Sequence, residues 1–98
     1  MKIRIIPRLR RDLVDERYRE DPKERSRRVS EGLERMPLQE LIHIGLRRAN
    51  RTHPLPPYEP FAVVISPAAA AKIDQFPETV SVSAIVQELL KPSPKENH

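Results

Sequence analysis

Ninety-eight residues suit one small domain, and 38% hydrophobic residues with two Phe and two Tyr make a thin core, so a partner or self-association is expected. The net charge of +4 is uneven: residues 1–53 carry fifteen basic and nine acidic side chains, a balance of +6, and residues 54–98 carry three and five, a balance of −2. A polyanion would therefore meet the first half, while the lack of cysteine excludes disulfides and thiolate metal sites.

The chain opens MKIRIIPRLRR, positively charged but without the apolar stretch of an export signal. Lys2 to Ile6 alternates basic and apolar residues, which reads as a short half-exposed strand ended by Pro7. From Arg8 to Glu20, Leu9, Leu13, Val14 and Tyr18 fall at helical spacing, and the pairs Arg8/Asp12 and Arg11/Asp15 are four apart with opposite charge. A charged surface helix is expected there.

Asp21, Pro22 and Glu24 have the order of a helix start, with Asp as N-cap and Pro in the first turn. The helix they open would bury Val29, Leu33 and Met36. Pro37 restarts or kinks it. Leu38, Leu41, Ile42, Leu46 and Ala49 then form the clearest apolar face of the N-terminal half, interrupted by Gly45, which marks a close helix contact at a propensity cost of about 1 kcal/mol. Four prolines between Pro54 and Pro60 favour an extended, semi-rigid connector.

Phe61 to Ile65 is apolar and rich in β-branched residues, so it reads as a strand with Phe61, Val63 and Ile65 on one face and Ala62 and Val64 on the other. Ser66 and Pro67 start a helix on which Ala69, Ile73 and Phe76 share a face, and Pro77 stops it. Ser81 caps the next helix, with Val82, Ile85, Val86, Leu89 and Leu90 inward and Gln87 and Glu88 wet. Pro92 to His98 reads as a disordered tail. The longest apolar run, Phe61 to Ala71, is broken by Ser66 and Pro67 and is far shorter than the roughly 20 residues of a membrane span, so a soluble cytoplasmic protein is expected.

The order strand, short helix, turn, second helix in residues 61–90 resembles the ribbon-helix-helix family of small DNA-binding proteins. Phe61–Ser66 matches the ribbon, Pro67–Phe76 the first helix, and Ser81-Val-Ser-Ala-Ile-Val-Gln-Glu-Leu-Leu90 the second. The resemblance implies a homodimer in which two chains pair their ribbons antiparallel, with Phe61, Val63, Ile65, Ile73, Phe76, Ile85, Val86 and Leu89 at the dimerisation core. It also implies that Ser81 and Val82, opening the second helix, hold a DNA phosphate. The outward ribbon pair, Ala62 and Val64, departs from the polar residues that read bases, since it can touch a thymine methyl but hydrogen-bond nothing.

A fainter second copy spans residues 2–50, with Lys2–Ile6 as its ribbon and Pro37–Arg47 as its second helix. In a tandem, single-chain version of the fold, Lys2 and Arg4 would lie on the DNA and the apolar strand would be their partner. Arg47, Arg48 and Arg51 are further candidate phosphate contacts, or alternatively complement the dipole of their helix. Arg8, Arg10, Arg11, Arg25, Arg27 and Arg28 read either as a nucleic-acid face or, with their interleaved acids, as a mixed surface.

His43, His53 and His98 have no metal-site spacing, Gly32 and Gly45 form no phosphate loop, and Ser81 and Ser83 have no local base. No catalytic residue, cofactor or metal is therefore expected. The fold class is mainly α with one or two short strands: a charged helical region over 1–53, a linker over 54–60, a ribbon-helix-helix-like unit over 61–91 and a tail over 92–98. The expected function is a non-enzymatic, dimeric regulator of transcriptional, plasmid or antitoxin type on duplex DNA. An adaptor that docks into a larger assembly through its apolar strand and helices, without nucleic acid, is the alternative.

Overall fold

A computed structural model describes residues 2–49 and 58–92, with only the backbone given for 47–49. The described chain is mainly helical. Strands β1 (Ile3–Ile5) and β2 (Arg8–Leu9) lead through a 3-10 turn at Arg11–Leu13 into helices α1 (Glu16–Glu20), α2 (Pro22–Arg35) and α3 (Leu38–Ala49). Strands β3 (Glu59–Pro60) and β4 (Val63–Ile65) are followed by helices α4 (Pro67–Asp74) and α5 (Val82–Leu90). No helix among the described residues is long and apolar enough to cross a membrane.

The four strands form one antiparallel ribbon. β1 pairs with β4 (Ile3 with Ile65, Ile5 with Val63) and β2 with β3 (Arg8 with Pro60, Leu9 with Glu59). The register is the same in both parts. Between them, Phe61 N–H donates to the Pro7 carbonyl at 2.9 Å. Pro7 has no N–H to return, so the ladder is interrupted there and nowhere else in its alignment. Pro60 falls at a position whose nitrogen faces away from the partner strand, where its missing donor breaks no ladder bond.

The caps behave as their chemistry requires. Asp21 accepts from the N–H groups of Lys23 and Glu24 at the start of α2, Ser66 from Ala69 N–H at α4, and Ser81 from Ala84 N–H at α5. Before Pro37, Met36 is driven to extended backbone (φ −75°, ψ 142°), so α2 ends and α3 begins afresh. The core draws on both halves of the chain: Leu9, Val14, Val29, Leu33 and Leu41 meet Val63, Ile65, Ile85, Val86 and Leu90, all 0–1% exposed.

Several expectations are corrected. Arg8–Glu20 is not one helix; Leu9 is drawn into the ribbon opposite Glu59, and Asp15 caps a new, short α1 by accepting from Arg17 N–H. Tertiary pairing outweighs the helical spacing of Leu9, Leu13 and Val14 because extended backbone lets both Leu9 and Val14 reach the core. The ribbon begins at Glu59, inside the segment read as a proline linker, whose residues 54–57 lie outside the described residues, as does the tail over 93–98. On the outer face of β4, Val64 is 39% exposed.

Gln87, read as wet, is buried. Its side-chain amide accepts from Arg10 N–H at 2.8 Å and donates to the Arg10 carbonyl at 3.2 Å, doing at the ribbon edge what a neighbouring strand would do. Arg25, on α2, is buried too. It donates to the Ala62 carbonyl at 3.1 and 3.3 Å and to the Tyr18 carbonyl at 2.9 Å, and its guanidinium lies 5.2 Å from the Phe61 ring centre. Burial pulls its pKa down, opposed by the nearby Asp21 carboxylate.

Candidate nucleic-acid interface

Alternation along the ribbon sorts its side chains into two faces. Ile5, Pro7 and Leu9 turn inward with Phe61, Val63 and Ile65, while Lys2, Arg4, Ile6 and Arg8 are all exposed on the opposite face. Across from Arg4 on that outer face lies Val64, and across from Arg8 lies Pro60. The outer face is thus a row of cations with an apolar centre, Ile6 at 55% and Val64 at 39% exposure.

Lys2, Arg4 and Arg8 form no ion pair among the described residues. Most other arginines of this half are occupied. Arg10 pairs with Asp12 at 2.6 Å, Arg11 with Glu59 at 3.4 Å, Arg17 with Asp15 at 3.5 Å, and Arg27 with Glu24 and Glu31. The hydrogen bond from Arg10 holds the Asp12 carboxyl below the usual carboxylate range, and the same contact raises the Arg10 pKa. Glu24, followed by Glu31, raises that of Arg27. Arg28 donates to the Leu89 carbonyl and Arg19 to the Val14 carbonyl. Of the six arginines read as a possible nucleic-acid face, only Arg8 therefore stands on the ribbon without such a partner.

The first turn of α5 touches the ribbon at this row, where Ser83 Oγ accepts from Arg8 N–H at 3.3 Å. Ser81 and Val82 are half-buried at the helix start. They rest against the middle of α3, where a Cβ on Gly45 would lie 3.2 Å from the Ser81 nitrogen. Lys2, Arg4 and the α5 start are thus joined through Arg8. Arg47 and Arg48 belong to the last turn of α3 but their side chains lie outside the described residues, as does Arg51.

The residues expected to dimerise serve this chain's own core: Val63, Ile65, Ile85 and Val86 are fully buried, Phe61 and Leu89 are 5% exposed, and Ile73 and Phe76 pack against them. The place beside β4 reserved for a second chain's ribbon is held by β1. Reading Pro7 as the end of the strand leaves Arg8 out of the row. The signal was present in the every-second-residue order Lys2, Arg4, Ile6, Arg8, which runs straight through Pro7.

Comparison with known proteins returns no match: no family model, curated protein or solved structure is significantly similar to this chain.

Proposed function

We propose that this chain is a small, non-enzymatic DNA-associated regulator that presents a two-stranded ribbon, built within one chain, to duplex DNA. The observation that carries this reading is the outer face of the ribbon, where Lys2, Arg4 and Arg8 stand in a row without carboxylate partners among the described residues. A major groove about 12 Å wide admits a two-stranded ribbon, and arginine offers two donors to a phosphate or to a guanine edge. Ile6 and Val64 supply apolar contact of the kind a thymine methyl accepts. The resemblance to the ribbon-helix-helix family supports the same use of the ribbon, with the pairing that two chains would make supplied here by β1 and β4. In that arrangement Ser81 and Val82, which open α5 next to the Ser83 hydroxyl that accepts from Arg8 N–H, would add a phosphate contact. Transcriptional, plasmid or antitoxin control is the role such binding would serve.

Duplex binding measured by fluorescence anisotropy from low to high salt tests the reading. Three phosphate contacts give a slope of log K against log salt of about −2.7, and replacing Lys2, Arg4 and Arg8 by Ala removes it. A further loss in R47A/R48A would add the end of α3 to the footprint. No binding at low salt, or binding unchanged in the triple variant, overturns the proposal.

The exposure of Ile6 and Val64 on the same face favours a second reading, an adaptor that docks this ribbon on another protein. Under that reading the triple variant leaves partner binding nearly intact, while Ile6→Glu abolishes it.

A further inference from the structure

The hydrogen-bonding directions of the ribbon identify one edge that the fold leaves open. In an antiparallel pair, residues whose N–H and C=O groups face the partner alternate with residues whose groups face away. The bond from Phe61 N–H to the Pro7 carbonyl sets the odd-numbered residues inward to the partner, so the even-numbered ones point outward. On the β4 side, Val64 N–H donates to Ser26 Oγ at 2.9 Å, Ser66 N–H to Ser30 Oγ at 2.9 Å, and the Ala62 carbonyl takes Arg25. On the other side, Arg8 N–H is met by Ser83 and Arg10 N–H by Gln87. α2 and α5 each place side chains one helical turn apart along an edge, as substitutes for a strand. At Arg4 and Ile6 there is no such substitute: their outward N–H groups have no partner among the described residues, and Arg4 and Ile6 are both exposed.

We propose that the β1 edge from Lys2 to Ile6 is a docking site for an extended acidic segment of another protein, which adds antiparallel to β1 as a third strand. Main-chain bonds to Arg4 and Ile6 would provide the pairing, and alternate side chains the selectivity. Charge fixes the class of partner. Lys2 and Arg4 lack carboxylate partners among the described residues, so acidic residues opposite them complete cross-strand pairs. Ile3, 39% exposed, and Ile6, 55% exposed, call for apolar residues at the places between and beyond. Read in the partner's own direction, the expected order is apolar, apolar, acidic, apolar, acidic.

A second copy of this chain fits poorly. Since outward groups belong to even residues, two β1 edges can pair antiparallel only with even residues opposite even ones. Each register over Lys2 to Arg8 that engages both Arg4 and Ile6 sets a basic side chain directly against another: Arg4 on Arg4, Lys2 on Arg8 or Arg4 on Arg8. Like charges placed opposite each other in this way are destabilising.

The test uses the full chain and a capped heptapeptide, Thr-Val-Val-Glu-Val-Glu-Thr, with two controls: the peptide N-methylated at the residues opposite Ile6 and Arg4, and the peptide with Lys for both Glu. Amide exchange by NMR is expected to slow at least about tenfold at Arg4 and Ile6 on saturation, with Ile3 and Ile5 little changed. N-methylation should weaken binding at least about tenfold through the lost main-chain bonds, and the Lys peptide should not bind. Unchanged exchange at Arg4 and Ile6, or equal binding of the N-methylated peptide, overturns the strand addition. Equal binding of the Lys peptide overturns the acidic partner. Slow, concentration-dependent exchange at Arg4 and Ile6 in the chain alone overturns the proposal in favour of a second copy. The amide readout concerns the ribbon edge and the salt slope of duplex binding its face, so either proposal can fail without the other.

Discussion

Replacing Gly45 by Ala sets two effects of opposite sign against each other. Alanine gains about 1 kcal/mol over glycine in helix propensity within α3. Its Cβ, however, would collide with Val80 Cγ1 and lie 3.2 and 3.3 Å from the backbone nitrogen and oxygen of Ser81. Carbon atoms rest about 3.5–4.0 Å apart, so the first contact is a clash that something must relieve. Val80 is buried and β-branched, and Ser81 is the N-cap of α5, so relief requires α3 and α5 to separate. Overpacking costs about 1–3 kcal/mol, and with a stiff side chain and backbone both in the way the upper part of that range, about 2–3, applies. The expected net loss is about 1–2 kcal/mol, a fall in Tm of about 5–15 °C for a domain of this size. Gly32→Ala is the internal control. Its Cβ would meet only the end of the Leu89 side chain, at 2.5 and 3.0 Å, and a leucine can turn aside. That variant should stay within about 1 kcal/mol of the parent, where propensity and crowding nearly cancel. Urea denaturation followed by circular dichroism measures both. A Gly45→Ala protein as stable as the parent, or less affected than Gly32→Ala, would refute the close helix contact.

Arg25→Leu leaves the carbonyls of Ala62 and Tyr18 without their donor and should cost about 2–4 kcal/mol in urea denaturation, with Arg25→Lys recovering less than half because one ammonium cannot span both. Lys72 donates to the carbonyls of Leu33, Glu34 and Met36 at the end of α2, at 3.0, 3.2 and 2.7 Å, so Lys72→Met should lose about 1–2 kcal/mol. A neutral effect would show that water replaces it at no cost. Arg10→Gln should return the Asp12 carboxyl toward its ordinary pKa, a rise visible by NMR titration; an unmoved midpoint would contradict the pairing. Because the folded-state value is lowered, the Asp12 contribution is present above the unfolded carboxylate pKa and fades as pH falls through the folded one.

What could be read from the chain was local. Asp21 with Pro22, Ser66 with Pro67, and Ser81 each announce a helix start because a short polar side chain meets the free N–H groups of its own next turn. The close approach at Gly45 is met by Val80 and Ser81, but the α3 face is only partly as its spacing implies: Leu41 is buried and Leu38 and Ile42 half-buried, whereas Leu46 is exposed and Ile44, beside Gly45, is buried instead. The segment from Arg8 to Glu20 departs from its spacing altogether, since its helical spacing competes with ribbon pairing to residues about fifty positions away, and only the second brings both Leu9 and Val14 into the core.

Of the candidate interface, the shared strand face of Lys2 and Arg4 needs no tertiary contact to be read, because alternation is a property of extended backbone. The tertiary pairing adds Arg8 to them and places the residues expected to dimerise in or against this chain's own core. It also decided which cations are free. Glu59 reaches Arg11 from 48 residues away, and carbonyls 37 and 61 residues distant take Arg25 and Arg28, pairings no local pattern encodes. Lys2 to Ile6 is left with an exposed face and an open edge because side chains of α2 and α5 meet the outward groups of Val64, Ser66, Arg8 and Arg10 but, among the described residues, none meets Arg4 or Ile6.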